Sequence, residues 1–176
     1  MTPYIVLFRG VGGATQLPVK QLRAVLAEAG FSGVATYINS GNAVLVSPMA
    51  ESAVAETVAA LVKEKMGFDK AVLVRSAADW AEVIAQNPFV ETVDEPTKLH
   101  LLALERQPEA RNVEALQAKA SGSERFAVKG RALYLHTPDG MGRSLFAPKI
   151  EPTLKVAGTA RNWRTVLALA RMAENL

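Results

Sequence analysis

The first half of the chain alternates short apolar runs with two longer segments of helical periodicity. The predicted elements are a strand at 4–9, a helix from Pro18 to Gly30, strands at 33–38 and 43–47, a helix around 54–62 and a strand at 71–74. Asn39-Ser40-Gly41-Asn42, which joins the second and third strands, is typical of a hairpin turn. This order predicts a ferredoxin-like β-α-β-β-α-β unit with both helices on one face of its sheet.

The second half repeats this order after an extra helix at 76–86 and an acidic, proline-containing linker at 90–97. Its predicted elements are a strand at 98–104, a helix at 108–120, strands at 125–129 and 132–136, and a final helix at 160–173. The expected last strand is missing or hidden in the poorly patterned stretch 143–156. We therefore predict an α+β protein of two tandem ferredoxin-like halves with antiparallel sheets and extra helices. The two domains are expected at 1–90 and 97–176, and the second ends in a basic helix.

The chain has two histidines, His100 and His136, on the first and third predicted strands of the second half. If these strands are parallel neighbours, both histidines share one sheet but lie toward its opposite ends, ~10 Å or more apart. Such a separation does not suit a shared metal ion, and the sequence predicts no metal site.

Composition places the chain among ordinary globular proteins, with 49% hydrophobic and 21% charged residues. The absence of cysteine excludes disulfides, thiol nucleophiles and thiolate metal centres. The N-terminal apolar run is short and has no basic region before it, so it is interpreted as a strand rather than a signal peptide. No apolar stretch approaches the roughly 20 residues of a membrane span. We expect a cytoplasmic protein and predict no cofactor.

Positive charge is concentrated in the C-terminal third, where residues 120–176 carry nine basic and four acidic side chains. In the predicted final helix, Thr159 is the expected cap and Trp163 lies on the core face. Arg161, Arg164 and Arg171 are expected on the opposite, exposed face. Arg161 and Asn162 are the first choice for contact with an anion, because a guanidinium can bind phosphate through two hydrogen bonds.

The glycines between the first strand and the first helix have two interpretations. Gly10, Gly12 and Gly13 either make a tight turn that needs positive φ or expose backbone N–H groups to a phosphate. Their spacing matches neither the dinucleotide fingerprint nor the P-loop. Arg9, at the end of the strand, is expected to be at least partly buried and to hold the loop through its guanidinium. Ser40 and Asn42 either shape the hairpin or act as neutral hydrogen-bond partners of a ligand near the loop.

Several motifs spread along the chain can be considered together. They are Phe8-Arg9-Gly10 with Gly12-Gly13, Thr36 to Asn42, Asn87-Pro88-Phe89, Leu133-Tyr134-Leu135-His136, Arg143-Ser144 and Thr159-Ala160-Arg161-Asn162-Trp163. In this order they resemble the bacterial family called domain of unknown function 1697 over about residues 4–173. The resemblance implies an α+β fold with a ferredoxin-like N-terminal part, and no activity. The chain departs from the family pattern in a glycine loop about two residues shorter. It also has Ala14-Thr15-Gln16 where lysines are common, and Leu145 where lysine often follows Arg-Ser.

Three classes of function are compatible with these features. Our first interpretation is a non-enzymatic binding protein for a phosphorylated or other anionic small molecule. Its candidate residues are Arg9, Gly10, Gly12, Gly13, Ser40, Asn42, Arg143, Arg161 and Asn162. The alternatives are a nucleic-acid-binding module, suggested by the topology and the basic C-terminal third, and an enzyme whose nucleophile and base are not recognisable. The central strands of the first half lack the paired exposed aromatics of an RNA-recognition sheet.

Overall fold

A computed structural model describes all of residues 1–176 and contains eight β-strands and six α-helices. The first elements are β1 (Thr2–Phe8), α1 (Val19–Glu28), β2 (Ser32–Thr36), β3 (Asn42–Ser47), α2 (Glu51–Met66), β4 (Val72–Ser76) and α3 (Ala77–Ala85). The remaining elements are β5 (Leu99–Leu104), α4 (Ala110–Gln117), β6 (Arg125–Lys129), β7 (Ala132–His136), α5 (Ala147–Leu154), β8 (Gly158–Asn162) and α6 (Trp163–Glu174). None of the helices combines the length and the apolar composition that a membrane crossing requires.

The first compact unit comprises Met1–Glu82 together with Leu167–Leu176. Its sheet has the order β2-β3-β1-β4, and every neighbouring pair is antiparallel. Buried residues of α1 and α2 join alternate residues of β1, β3 and β4 in one apolar core, so both helices cover the same face. This is the ferredoxin-like arrangement that the hydrophobic pattern predicts.

The opposite face of the first sheet is also buried. Ile5, Leu7 and Val44 have no exposed surface, although they point away from the core formed with α1 and α2. The end of the chain contributes to this cover, since a Cβ placed on Gly33 would lie 2.9 Å from Leu176 Cδ2. Neither face of this sheet is therefore an open binding surface.

The second compact unit comprises Val83–Val166, and its sheet has the order β6-β7-β5-β8 with antiparallel neighbours. Helices α4 and α5 bury Leu116, Ile150 and Leu154 against Leu102 and Leu133. From the sequence pattern, the last strand was expected to be absent or to lie within residues 143–156. In the structure it is β8, at Gly158–Asn162. The stretch 143–156 instead contains α5, with Pro152 inside it. The second half is thus a complete β-α-β-β-α-β unit.

The two halves also share a local feature that their sequences do not make evident. Arg75 of β4 lies opposite Ile5 of β1, and Arg161 of β8 lies opposite Leu101 of β5. Both arginines are buried, and each donates from Nη1 to the preceding carbonyl, at 2.7 Å for Val74 and 2.8 Å for Ala160. The next residue caps a helix in each half, because Ser76 Oγ accepts from Asp79 N–H and Asn162 Oδ1 accepts from Thr165 N–H. The duplication extends to these strand-to-helix junctions.

The two histidines share a sheet as predicted, but their expected placement at opposite ends is wrong. Strands β5 and β7 are antiparallel, with His100 opposite Leu135 and His136 opposite Leu99, so both histidines lie at the same end. The reason is topological: β6 and β7 form a hairpin, and this single reversal makes β7 antiparallel to β5. Residues directly opposite share a face, so His100 and His136 point to opposite faces of the sheet.

Acid should destabilise the protein through these two histidines. Burial lowers the pKa of His100. The pKa of His136 is also lowered, mainly by burial and then by the positive charge of Arg125, with a smaller contribution from Lys98. The opposing effect of the nearby carboxylates, Glu91 and Glu95, is weaker than the sum of these. Because the folded-state pKa lies below the unfolded value, the unfolded chain binds more protons, and stability falls as the pH drops below about 6.5. We expect the urea concentration at the unfolding midpoint to decrease when the pH is lowered from about 7.5 to about 5.5. In a His100→Gln/His136→Gln double variant the midpoint should depend less on pH. If the urea midpoint decreased equally in the wild type and in the double variant, the histidines would be excluded as the cause of the decrease.

Candidate functional site

The glycine loop, residues 10–13, connects the end of β1 to the segment that precedes α1. Gly10, Gly12 and Gly13 have φ values of 73°, 137° and 56°, which other residues rarely adopt. Gly12 and Thr15 exchange two backbone hydrogen bonds, of 2.7 and 3.0 Å, and close a tight turn. A Cβ placed on Gly12 or Gly13 would have no atom within 4 Å, so the exposed backbone there faces open space. The tight turn by itself is enough to explain why glycines occupy these positions. It also leaves the outer side of their backbone accessible.

The hairpin between β2 and β3 packs directly against this loop. The Phe8 N–H donates to the Gly41 carbonyl at 2.9 Å, and a Cβ on Gly41 would lie 2.7 Å from Val11 Cγ2 and 2.9 Å from the Phe8 carbonyl oxygen. The side-chain amide of the buried Asn42 donates to the Tyr37 carbonyl and to Ser40 Oγ. The structure therefore brings the hairpin and the glycine loop together. Within the hairpin, the Asn42 amide has a structural role.

Basic residues flank the glycine loop on the side of β4. Arg9 is half-buried, and its backbone N–H donates to the Ala71 carbonyl at 3.0 Å, which joins the loop to the segment before β4. Lys70 is exposed, and its Cδ would lie 3.9 Å from a Cβ on Gly10. The neighbouring acid, Asp69, pairs with Lys63 at 3.0 Å. Lys70 thus lies beside the loop, Arg9 precedes it in the chain, and the neighbouring Asp69 already has a cationic partner.

A surface depression of about 460 Å³ lies beside the glycine loop. Its walls come from 14–16 of the loop segment and from 66–70 between α2 and β4. Both Lys70 and Asp69 lie on its lining, but Asp69 is paired with Lys63, whereas no ion pair is found for the acids of a second depression, Glu124 and Asp139. The depression beside the glycine loop has room for a small molecule.

Sequence reasoning missed Lys70, although a signal for it existed. In the ferredoxin-like order the last strand pairs with the first, and here Phe8 lies opposite Val72. A basic residue just before the last strand must therefore lie beside the loop that follows the first strand.

Arg161 does not lie on the exposed face of a helix, where the sequence pattern placed it. It belongs to β8, its side chain is buried, and its Nη1 also donates to Thr159 Oγ1 at 2.7 Å. Burial lowers the pKa of Arg161 to about 10. The expected cap residue, Thr159, is also within this strand, and Asn162 takes the capping position instead. Trp163 is buried as predicted, and Arg164 and Arg171 are exposed.

The nine candidate residues fall in both compact units. Arg9, the three glycines, Ser40 and Asn42 gather at the end of the first sheet, where β1 ends and β3 and β4 begin. Arg143, Arg161 and Asn162 belong to the second unit. Arg143 is exposed in a single 3-10 turn, on the lining of a depression of about 210 Å³ that also includes Lys149, Glu124 and Asp139. The mixed charges there do not select an anion.

The chain contains no group of three or more histidine, aspartate or glutamate side chains that could hold a metal ion. Both depressions lie in single units, and both linings combine charged with apolar residues, which include Met66 and Phe68 in the first and Leu145 and Phe146 in the second. The first depression adjoins the glycine loop. The end of the first sheet therefore combines a depression with six of the nine candidate residues, and it is the best candidate site.

The fold defines the chain as an α+β protein of two tandem ferredoxin-like halves. The family described as "Protein of unknown function (DUF1697)" matches residues 1–134, and the chain belongs to this family. Among solved structures, the chain is similar to the conserved bacterial protein SP0830 from Streptococcus pneumoniae, with a TM-score of 0.74 and 20% sequence identity over 98% of each chain. At this identity the likeness concerns the fold alone. No curated protein matches the chain.

Proposed function

We propose that the protein binds an anionic small molecule, such as a phosphate ester, at the glycine loop of the first unit. The observation that carries this proposal is the exposed loop backbone with Lys70 beside Gly10 and Arg9 directly before Gly10 in the chain. Backbone N–H groups in turns with positive φ make concave sites that favour anions. A guanidinium and an ammonium beside them add charge that a bound phosphate can neutralise.

The rigidity of the loop supports the proposal. Gly12 and Thr15 fix its tip through paired hydrogen bonds, and Gly41 fixes its base through contacts with Phe8 and Val11. A preformed loop loses little conformational entropy when a ligand binds, so more of the interaction energy appears as affinity. The loop lacks the lysines that other family members are expected to carry, which favours moderate affinity.

The burial of both sheets counts against a nucleic-acid-binding module. RNA-recognition sheets expose aromatic side chains on the face opposite their helices. Here that face holds Ile5, Leu7 and Val44 in the first sheet and Leu101 and Tyr134 in the second, all of them buried. A nucleic acid would have to use loops and exposed arginines instead.

Inorganic pyrophosphate is a suitable first probe, and we expect it to stabilise the wild-type protein saturably. At about ten times its Kd it should add about 1.4 kcal/mol to the free energy of unfolding, which corresponds to roughly 3–6 °C in Tm. Arg9→Gln should weaken binding about 10-fold or more, and Lys70→Gln about 2- to 5-fold, because the exposed lysine charge is better screened.

The matched control is Arg164→Gln, which removes one exposed positive charge from α6. We expect this variant to bind pyrophosphate as the wild type does. Lys70→Gln keeps the test informative if Arg9→Gln unfolds, since Lys70 is exposed. Loss of binding in Arg164→Gln alone, with wild-type affinity in the other two variants, would refute a site at the glycine loop.

A further inference from the structure

Residues 86–95 of the second unit, which we call the strap, lie against the hairpin formed by β6 and β7. At the beginning of the strap, the Lys129 ammonium of β6 donates to the Gln86 carbonyl at 2.7 Å. Further along, the Phe89 ring lies against the His136 ring of β7, with 6.4 Å between the ring centroids. The strap therefore follows the hairpin from its turn to its open end. It brings together the Asn-Pro-Phe and Leu-Tyr-Leu-His motifs, which the proposed anion site does not involve.

Arg125, which lies directly opposite His136 in the pairing of β6 with β7, holds the strap through two contacts. Its guanidinium carbon is 4.9 Å from the centroid of the Phe89 ring, a distance typical of a cation–π interaction. Its Nη2 also donates to Glu91 Oε1 at 2.8 Å. The buried Phe89 ring is thus packed against both a guanidinium and an imidazole.

The His136 ring suits this position only while it is neutral. Its Nδ1 atom is buried and has no hydrogen-bond partner. In a neutral imidazole this nitrogen can remain without a proton, so only an acceptor is unused. In the imidazolium form both ring nitrogens carry protons, and Nδ1–H would be a buried donor without an acceptor, which is costly. Protonation therefore requires His136 to move or the packing around its ring, which includes Phe89, to open.

The charged groups around His136 do not compensate for an additional positive charge. They are Arg125 of β6, Glu91 and Glu95 of the strap, and Lys98 just before β5. Glu91 is paired with Arg125, and Glu95 is paired with Lys98, so a cation already neutralises each carboxylate. Burial and then the charge of Arg125 are the largest causes of the lowered pKa of His136.

We propose that the strap is an acid-sensitive conformational element. It is closed on β6 and β7 at neutral pH, and protonation of His136 in mild acid releases it while the rest of the second unit stays folded. Release separates Phe89 and Glu91 from Arg125 and exposes the Phe89 ring. His100 lies at the same end of the sheet but points to the other face, so it does not take part. The proposal is independent of the anion site in the first unit.

Hydrogen exchange of the Phe89 and Thr92 amides, followed by NMR, measures release of the strap. Both N–H groups are bonded within the strap, to Asn87 Oδ1 and to the Phe89 carbonyl, each at 2.9 Å. We expect their protection factors in the wild type to fall about 3- to 10-fold from about pH 7.5 to about pH 5.5. Tenfold is about the limit for one proton whose pKa in the open state is about 6.5. His136→Gln, which is neutral at both pH values, should be equally protected at both.

His100→Gln is the matched control, because it removes the other histidine at this end of the sheet, and it should keep the wild-type response to pH. Arg125→Gln keeps the test informative if His136→Gln does not fold. Loss of both Arg125 contacts should lower the protection of the strap amides about 3- to 10-fold already at about pH 7.5, with no change in α4.

Three results would overturn the proposal. The first is pH-independent protection of the wild-type strap, and the second is an unchanged strap in Arg125→Gln. The third is a fall in protection in acid that is equal in the strap and in β5 and β7, because it would show unfolding of the whole unit rather than release of the strap. Retention of the wild-type response in His136→Gln would exclude His136 as the group that titrates.

Discussion

Replacing Gly41 by alanine is expected to lower the free energy of unfolding by about 3 kcal/mol or more. Two effects combine at this position. The φ of 77° is strained for alanine, and the new Cβ would lie 2.7 Å from Val11 Cγ2 and 2.9 Å from the Phe8 carbonyl oxygen. The backbone oxygen cannot move aside without disturbing β1, so the hairpin must separate from the glycine loop. Urea unfolding measures the change.

Gly130→Ala is the matched control for this substitution. Gly130 has a φ of 56° in the turn between β6 and β7, and a Cβ there would meet no atom within 4 Å. It should therefore cost only the conformational strain, about 1 kcal/mol. If Gly41→Ala costs no more than Gly130→Ala, the hairpin does not pack on the glycine loop as described.

Gly158→Ala should be almost as damaging, by about 2–3 kcal/mol, for a different reason. Gly158 begins β8 and lies opposite Leu104 of β5. An added Cβ would lie 2.8 Å from the Ala103 carbonyl oxygen and 3.0 Å from Leu104 Cδ2, so the edge strand must shift away from its neighbour. This substitution tests the position of the strand that the hydrophobic pattern did not reveal.

Gly142→Ala provides the comparison for Gly158→Ala. A Cβ on Gly142 would meet no atom within 4 Å, and its φ lies outside the left-handed region. Alanine there should change the free energy of unfolding by less than about 0.5 kcal/mol. Equal effects at the two glycines would contradict the pairing of β8 with β5.

The hydrophobic pattern predicted most of the fold because most elements carry their own signal. Strand β1 is a continuous apolar run, and Gly67, in a left-handed conformation, ends the helix α2 as glycines commonly do. The hairpin residues 39–42 carry a turn composition that needs no tertiary context. Where local propensity and long-range packing agree, sequence alone predicts the element.

Strand β8 was missed because its sequence has no strand pattern and no loop separates it from α6. Gly158-Thr159-Ala160-Arg161-Asn162 contains one β-branched residue, and its arginine is buried although polar. The helix begins at Trp163, directly after Asn162, so the helical pattern of α6 extended falsely backward over the strand. Pro148 and Pro152 similarly concealed α5, since proline inside a helix is normally a sign against one.

The candidate site was predictable only in part. The glycine loop, Arg9 and the hairpin are adjacent in space because β1 and β3 pair, and the ferredoxin-like order implies that pairing. The positive φ of Ile38, 48°, could not be predicted, because it is set by the length and register of the hairpin. The burial of Arg161 depended on the strand that the pattern concealed.

Anion binding at the glycine loop is tested most directly by backbone amide NMR during titration with inorganic pyrophosphate. We predict that the amides of residues 10–14 and Lys70 shift along one saturable curve, and that those of Arg164 and Arg171 do not shift. Non-saturating shifts, or shifts confined to the arginines of the C-terminal third, would contradict the proposed site.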